Sequence, residues 1–251
     1  MKKHLIFLLT LLIVSHVYST KIIAQEVILK QNVELDTVPK KIGQNLKKYS
    51  HFYIGMGAVV GSNEGEGGDL NYGRSLDFTA GFRYKYKINN VYAIGMDAKY
   101  NWTSFNLKQN DDKILPNNLQ HKREVINFNN FGFIAYNRFN FDKNRGNHIG
   151  KFLDIGAYAD WTFMVRHKYT TEFDVAGNAN QSVSEVTNSG LLYVERLNYG
   201  LTARLGFGKF VFYGSYRLSD QFKKKLNDQF DSSNYPELAR FIAGIQISLH
   251  D

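Results

Sequence analysis

The chain has 251 residues and 43% apolar content, enough for one domain of ordinary size. It contains no cysteine, so disulfides and thiolate metal sites are excluded. Its 16 Tyr and 19 Phe against 3 Pro point to β-structure and away from a helical bundle. Formal net charge is +8, but Met1–Ala24 holds three of the 31 basic residues and no acid; the remainder has 28 basic against 23 acidic residues. That excess is spread singly along the chain with no basic stripe or recognition helix, so no nucleic-acid partner is expected.

The first element is an export signal. Lys2-Lys3 forms a positive start, and Leu5–Val17 an apolar run too short to cross a bilayer as a helix. Cleavage is expected between Ala24 and Gln25, leaving residues 1–24 as a signal peptide. Residues 25–48, with Pro39 and a Lys cluster (Lys40, Lys41, Lys47, Lys48), read as a solvated periplasmic segment. Residues 49–251 form the main domain.

From Tyr49 the hydrophobic period is two. Segment one aligns Phe52, Ile54, Met56, Ala58 and Val60; segment two Leu76, Phe78, Ala80, Phe82 and Tyr84; segment three Tyr92, Ile94, Met96, Ala98, Tyr100 and Trp102. Segment four, about Val125 to Phe141, is less regular, and Asn129-Asn130 suggests a bulge there. Segment five runs Leu153, Ile155, Ala157, Ala159, Trp161, Phe163 and Val165 on one face. Segments six and seven align Leu197 to Phe207 and Phe210 to Leu218, and segment eight Ala239 to Leu249.

The connections alternate: short at Lys87–Asn90, Asp142–His148 and Gly208-Lys209; long at Gly61–Tyr72, Thr103–Lys122, Arg166–Gly190 and Ser219–Glu237. Tight periplasmic turns and longer outer loops are the pattern of an outer-membrane barrel. The expected fold is therefore all-β, an eight-stranded antiparallel up-and-down transmembrane β-barrel. Closure is required because an open sheet edge in lipid leaves backbone groups unpaired.

Period alone does not say which face is outside. The polar face is poor in Lys and Glu and rich in Gly, Thr, Ser and Asn, unlike a water-facing exterior. Aromatic residues cluster at both ends of the apolar face: Tyr84, Tyr86 and Tyr92 at the short-turn end, Tyr100, Trp102, Trp161 and Phe163 at the long-loop end. Two aromatic girdles around an aliphatic band favour lipid outside. The opposite assignment is a soluble lipocalin-like barrel with an apolar, ligand-binding interior.

The inward charges are then Asp77, Arg83, Lys85, Asp97, Lys99, Asp154, Asp160, Arg204, Arg217 and Arg240. In a narrow lumen they must be paired; a structural network is expected, and a selectivity path through a narrow pore is the alternative. Gly244, Ile247 and Leu249 give the terminal strand a Gly-x-x-apolar-x-apolar arrangement similar to the signal read by barrel-assembly machinery, although His250-Asp251 follow it.

The Ala24-Gln25 leader end and the stretch Pro236-Glu237-Leu238-Ala239-Arg240-Phe241 with Gly244-Ile245-Gln246 resemble the small outer-membrane β-barrel proteins of Bacteroidota, including the PorT-like group, with an OmpA/OmpX-type barrel as architecture. The resemblance covers about Tyr49 to Leu249. It implies an outer-membrane location and a partner role in secretion or envelope assembly, with an envelope protein as partner. The expected role is non-enzymatic, structural or interactive, through the outer loops or the periplasmic segment, and the other expected partners are outer-membrane lipid or lipopolysaccharide and, during insertion, the assembly machinery. No catalytic, cofactor or metal residue is assigned, and no cofactor is expected.

Three loop features offer alternatives. His121 and His167 can meet at the outer rim beside Ser182, Ser184, Ser189 and Glu185, the parts of a lipid A hydrolase. Gly61–Asp69 sets Glu64, Glu66 and Asp69 among glycines, oxygen donors for Ca²⁺ without EF-hand spacing. Lys223-Lys224-Lys225 could touch lipopolysaccharide phosphates; a solvated run is the plainer reading.

Overall fold

A computed structural model of the chain describes residues 43–61, 63–173, 182–224 and 235–249. The signal peptide and most of the 25–48 segment lie outside the described residues.

Nine strands form in chain order: β1 Lys48–Val60, β2 Leu76–Lys87, β3 Tyr92–Leu107, β4 Arg123–Asn140, β5 Lys151–Phe173, β6 Ser182–Ser189, β7 Leu197–Phe207, β8 Phe210–Arg217 and β9 Phe241–Leu249. All pairings are antiparallel. Eight strands close a ring in the order β1-β2-β3-β4-β5-β7-β8-β9, completed by β1 against β9 from Phe52↔Leu249 to Val60↔Phe241. The ninth, β6, lies outside the ring and pairs with the end of β5.

The ring is the eight-stranded barrel that the period implies. Its faces sort as expected. Phe52, Met56, Met96, Phe131, Phe133, Ile155, Leu197, Leu201 and Ile245 point outward and are exposed, whereas Asp77, Arg83, Asp97, Arg138, Asp154 and Arg204 are buried inside. This excludes the lipocalin-like arrangement: the apolar side is the exterior. At the short-turn end Tyr92 packs on Phe139, ring centroids 5.5 Å apart. At the long-loop end Phe131 stacks on Phe163 at 4.7 Å, flanked by Tyr100 and Trp161.

Short turns need the residues they have. The β7–β8 hairpin turns on Gly208 and Lys209, and Gly208 takes φ +64°, a conformation that costs a side chain but not glycine. In the lumen, glycine makes room for a ring on the neighbouring strand. A Cβ at Gly206 would stand 2.1 Å from the Phe152 ring. Gly81, Gly95 and Gly200 make room in the same way for the rings of Tyr53, Tyr136 and Tyr158.

Three expectations are corrected. First, β3, β4 and β5 have 16, 18 and 23 residues, well beyond the 9–11 that cross an apolar layer. Thr103–Leu107 and most of the described part of Arg166–Gly190, both read as loop, are therefore sheet, and they rise past the aromatic girdle. Second, the register slips between Asn129 and Asn130, but the additional residue is Phe163 on β5. Strand β4 keeps one phase throughout. Strand β5 changes phase, so Val165, expected outside, is buried and Arg166 is exposed. Third, β9 begins at Phe241, so Ala239 is buried with the loops and Arg240 sits at the rim.

At the other end, Gly43–Lys47 is not a free linker. The Asn45 amide N–H donates to the Asn147 carbonyl at 3.0 Å, and Lys85 donates to the Gln44 carbonyl at 2.8 Å. Gln44 is buried, and its side chain accepts from the Ile149 N–H. The entering chain thereby closes the short-turn end above a small apolar cluster of Ile149, Phe152 and Val211.

Candidate functional site

The lumen is filled in layers. Its middle is a ladder of alternating charge. Arg83 Nε donates to both Asp97 oxygens, at 3.2 and 3.0 Å, and its Nη2 donates to Gln246 at 2.8 Å. Arg204 bridges Asp97 and Asp154, and Arg138 holds Asp154 through two bonds of 2.7 and 2.8 Å. Each guanidinium also lies over a ring: Arg83 over Tyr53 at 4.3 Å, Arg204 over Tyr136 at 4.4 Å and Arg138 over Phe152 at 3.5 Å. Pairing and face-stacking of this kind offset part of the desolvation penalty of the buried ions. Arg138 was not among the expected inward charges, yet the phase of Phe131, Phe133, Ala135 and Phe139 was enough to place it inside.

Above the ladder, Lys99 pairs with Asp160 at 2.9 Å. Asp77 accepts from Thr103 at 2.6 Å and from the Tyr213 hydroxyl at 3.2 Å. These groups border a cavity of about 50 Å³. It has room for roughly one or two waters.

Higher still the filling becomes apolar. Val59, Leu70, Phe105, Leu107, Leu115, Ile126, Phe128, Val165, Val194, Phe222, Leu238 and Ala239 form one buried cluster. They come from the ends of four strands, β1, β3, β4 and β5, and from all four long connections. Short bridges stitch these connections together: Glu64↔Glu237, Leu70↔Leu107 and Val194↔Phe222. Tyr193, Phe222 and Tyr235 pack edge to face. The loops thus form a folded cap with its own core at the mouth.

Charged groups of the cap are engaged as well. Glu124 is fully buried; it accepts from His167 Nε2 at 2.7 Å, Lys113 at 2.8 Å and Gln109 at 3.1 Å. His121 does not meet His167 directly: both rings pack on Tyr169, and His121 Nδ1 bonds the Thr171 hydroxyl at 3.0 Å. Burial holds the His121 pKa below its usual value. No hydrogen bond joins either histidine to a serine among the described residues, and Glu185 pairs with Lys168. Among the described residues, the parts suggested for a lipid A hydrolase do not meet.

The Gly-rich loop likewise supplies no cation cage. Glu64 is taken by Arg240, whose Nε and Nη2 donate at 2.9 and 2.8 Å. Asp69 accepts from Asn63 and Asn110. No group of three or more His, Asp or Glu placed to hold a metal occurs among the described residues. Arg240 therefore works at the rim, where it also holds Asp220 at 2.8 Å and depresses its carboxyl pKa. Arg217 seals the same rim through Glu237 at 3.0 Å. Of the Lys run, Lys224 pairs with Asp220 at 3.3 Å, and Lys225 lies outside the described residues.

No family model matches the sequence, and no curated relative matches it. Two crystal structures of Ail, the attachment invasion locus protein of Yersinia pestis, align with it. In one of them Ail is in complex with the heparin analogue sucrose octasulfate. They are 15% and 16% identical to this chain, cover 81% of it and 100% and 99% of their own length, and both have a TM-score of 0.34. At such scores the likeness decides nothing, and the barrel is defined by this chain's own strand pairing.

Proposed function

We propose that the protein is an integral outer-membrane barrel with a sealed lumen, and that it works through the capped loops and extended sheet at its outer end. The observation that carries this reading is the inversion of the two faces. A ring of exposed Phe, Met, Ile and Leu surrounds an interior of paired Arg and Asp. Such a surface is stable in lipid and insoluble in water.

The role is non-enzymatic and interactive. Strand β6 pairs with β5 on one side only; among the described residues its other edge has no partner strand. An exposed edge offers unpaired backbone donors and acceptors to an incoming strand. The resemblance to PorT-like barrels suggests an envelope partner. Three independent plugs (the Gln44 segment, the arginine ladder and the apolar cap) favour an interaction scaffold over a narrow pore.

The test is gel mobility of the outer-membrane fraction in SDS, with and without boiling. Faster migration before boiling is expected, together with silent planar-bilayer recordings. Recovery in the soluble periplasm with unchanged mobility would overturn the membrane assignment, and steady single-channel steps the sealed lumen.

A further inference from the structure

The extra residue at Phe163 has an effect outside the barrel. By shifting the phase of β5 it turns His167 inward and sends Arg166, Lys168 and Thr170 to the exterior. There they share a face with Arg123, Val125 and Asn127 of β4, through the pairs Arg123↔Thr170, Val125↔Lys168 and Asn127↔Arg166. This face begins directly above Tyr100, Trp102, Phe131 and Phe163, the outer aromatic girdle.

The face contains a concavity of about 210 Å³ whose lining includes Trp102, Ser104, Arg123, Asn127, Lys168 and Thr170. Glu185 stands at its edge, paired with Lys168 at 2.5 Å. Lys122 is paired with Glu172. Arg123 and Arg166 are exposed, and among the described residues neither makes an ion pair or a side-chain hydrogen bond. Two exposed guanidinium groups thus share this face with an amide and two hydroxyls. This polar set starts at the outer aromatic girdle and extends away from it along β4 and β5, and in an outer-membrane barrel that girdle marks the boundary between hydrocarbon and headgroups.

We infer that this face is a binding site for the phosphorylated sugar headgroup of an outer-leaflet glycolipid. The chemistry matches on three counts. Guanidinium forks bind phosphate oxygens in two-point geometry. Asn127 and Thr170, both half-buried, are suited to sugar hydroxyls. Trp102 supplies an amphipathic ring at the boundary where the acyl chains begin. The inference rests on the outer-membrane reading above and adds the ligand class and the residues to it.

The experiment uses the full-length mature protein refolded in detergent. Binding of lipopolysaccharide bearing its lipid A phosphates is compared with binding of enzymatically dephosphorylated lipopolysaccharide, for the wild type, Arg123→Gln/Arg166→Gln and, as a control, Lys224→Gln. Losing two charge-assisted contacts is expected to weaken binding of the phosphorylated form about tenfold or more. Binding of the dephosphorylated form should already be weak and should not change. Equal affinity of wild type and double variant would overturn the site. Full competition by millimolar inorganic phosphate would overturn the glycolipid and make this a free-anion site. The boiled and unboiled mobility of each variant separates the two readings: a double variant that keeps the fast-migrating form yet loses binding supports the site, whereas a wild type without that form refutes the membrane assignment itself.

Discussion

The lower and upper halves of the barrel interior solve the same packing problem with opposite chemistry. Below, the tube is filled by Arg83, Arg138 and Arg204 against Asp97 and Asp154. Above, it is filled by Leu115, Ile126, Phe128 and Leu238. The difference follows from what each region can recruit. Within the band every strand residue points either to lipid or to the lumen, and the long polar side chains lie inside, where they interlock with rings and with one another. Beyond the band, four connections can fold over the mouth and bring aliphatic side chains with them. A charged filling is held by its pairing and fails when one member is lost. An apolar filling tolerates single losses in proportion to volume.

Breaking the charged half should give the largest effect. Asp97→Ala leaves Arg83 with Gln246 alone and Arg204 with Asp154 alone, and breaking a buried ion pair in this way costs about 3–5 kcal/mol. Urea unfolding in micelles should show the loss, along with disappearance of the unboiled fast-migrating band. Replacing Arg138 and Asp154 jointly by Met and Leu should recover only part of what Asp154→Leu alone loses, because Arg204 then keeps Asp97 as its one counter-charge, and a double-mutant cycle on the same transition would measure the coupling.

The apolar half should respond less, and locally. Leu115→Ala removes a fully buried side chain from the cap at a cost of about 3 kcal/mol. Faster proteolysis of the outer loops is expected with no change in the barrel's resistance to SDS. If the barrel also fails, cap and ladder form one cooperative unit and the contrast between them is wrong.

The smallest effect concerns His121. Its pKa is depressed in the folded cap from a usual value of 6.5, because burial disfavours the imidazolium. Its stability contribution is then present above about pH 6.5 and is lost as pH falls through the lower folded value, since the unfolded chain takes up the proton first. Protease sensitivity of the loops should rise on acidification below that point, and His121→Gln should flatten the rise. A rise that persists unchanged in the variant would assign the effect to another group.

Most of the barrel was legible in the sequence. A period of two fixes which side chains share a face, and the short-long alternation of connections fixes the order of strands. The scarcity of Lys and Glu on the polar face identifies it as the interior. Phe52, Met96, Leu201 and Ile245 are all where that reasoning puts them. The phase slip at Phe163 was less visible, although the sequence carries a signal for it: in one unbroken phase Arg166 and Lys168 would enter the lumen while Val165 and Tyr169 faced out.

By itself the sequence determined the fold class, the sidedness and the chemical character of the lumen, because these depend on local alternation and on the free energy of transfer between water, lipid and a narrow interior. Only the tertiary structure decided the partners. Arg204 reaches Asp97 across 107 residues, Glu64 meets Arg240 across 176, and the cap draws its core from all four long connections. Such contacts arise where the closed ring brings distant strand ends together, and no local period records which side chains will meet there.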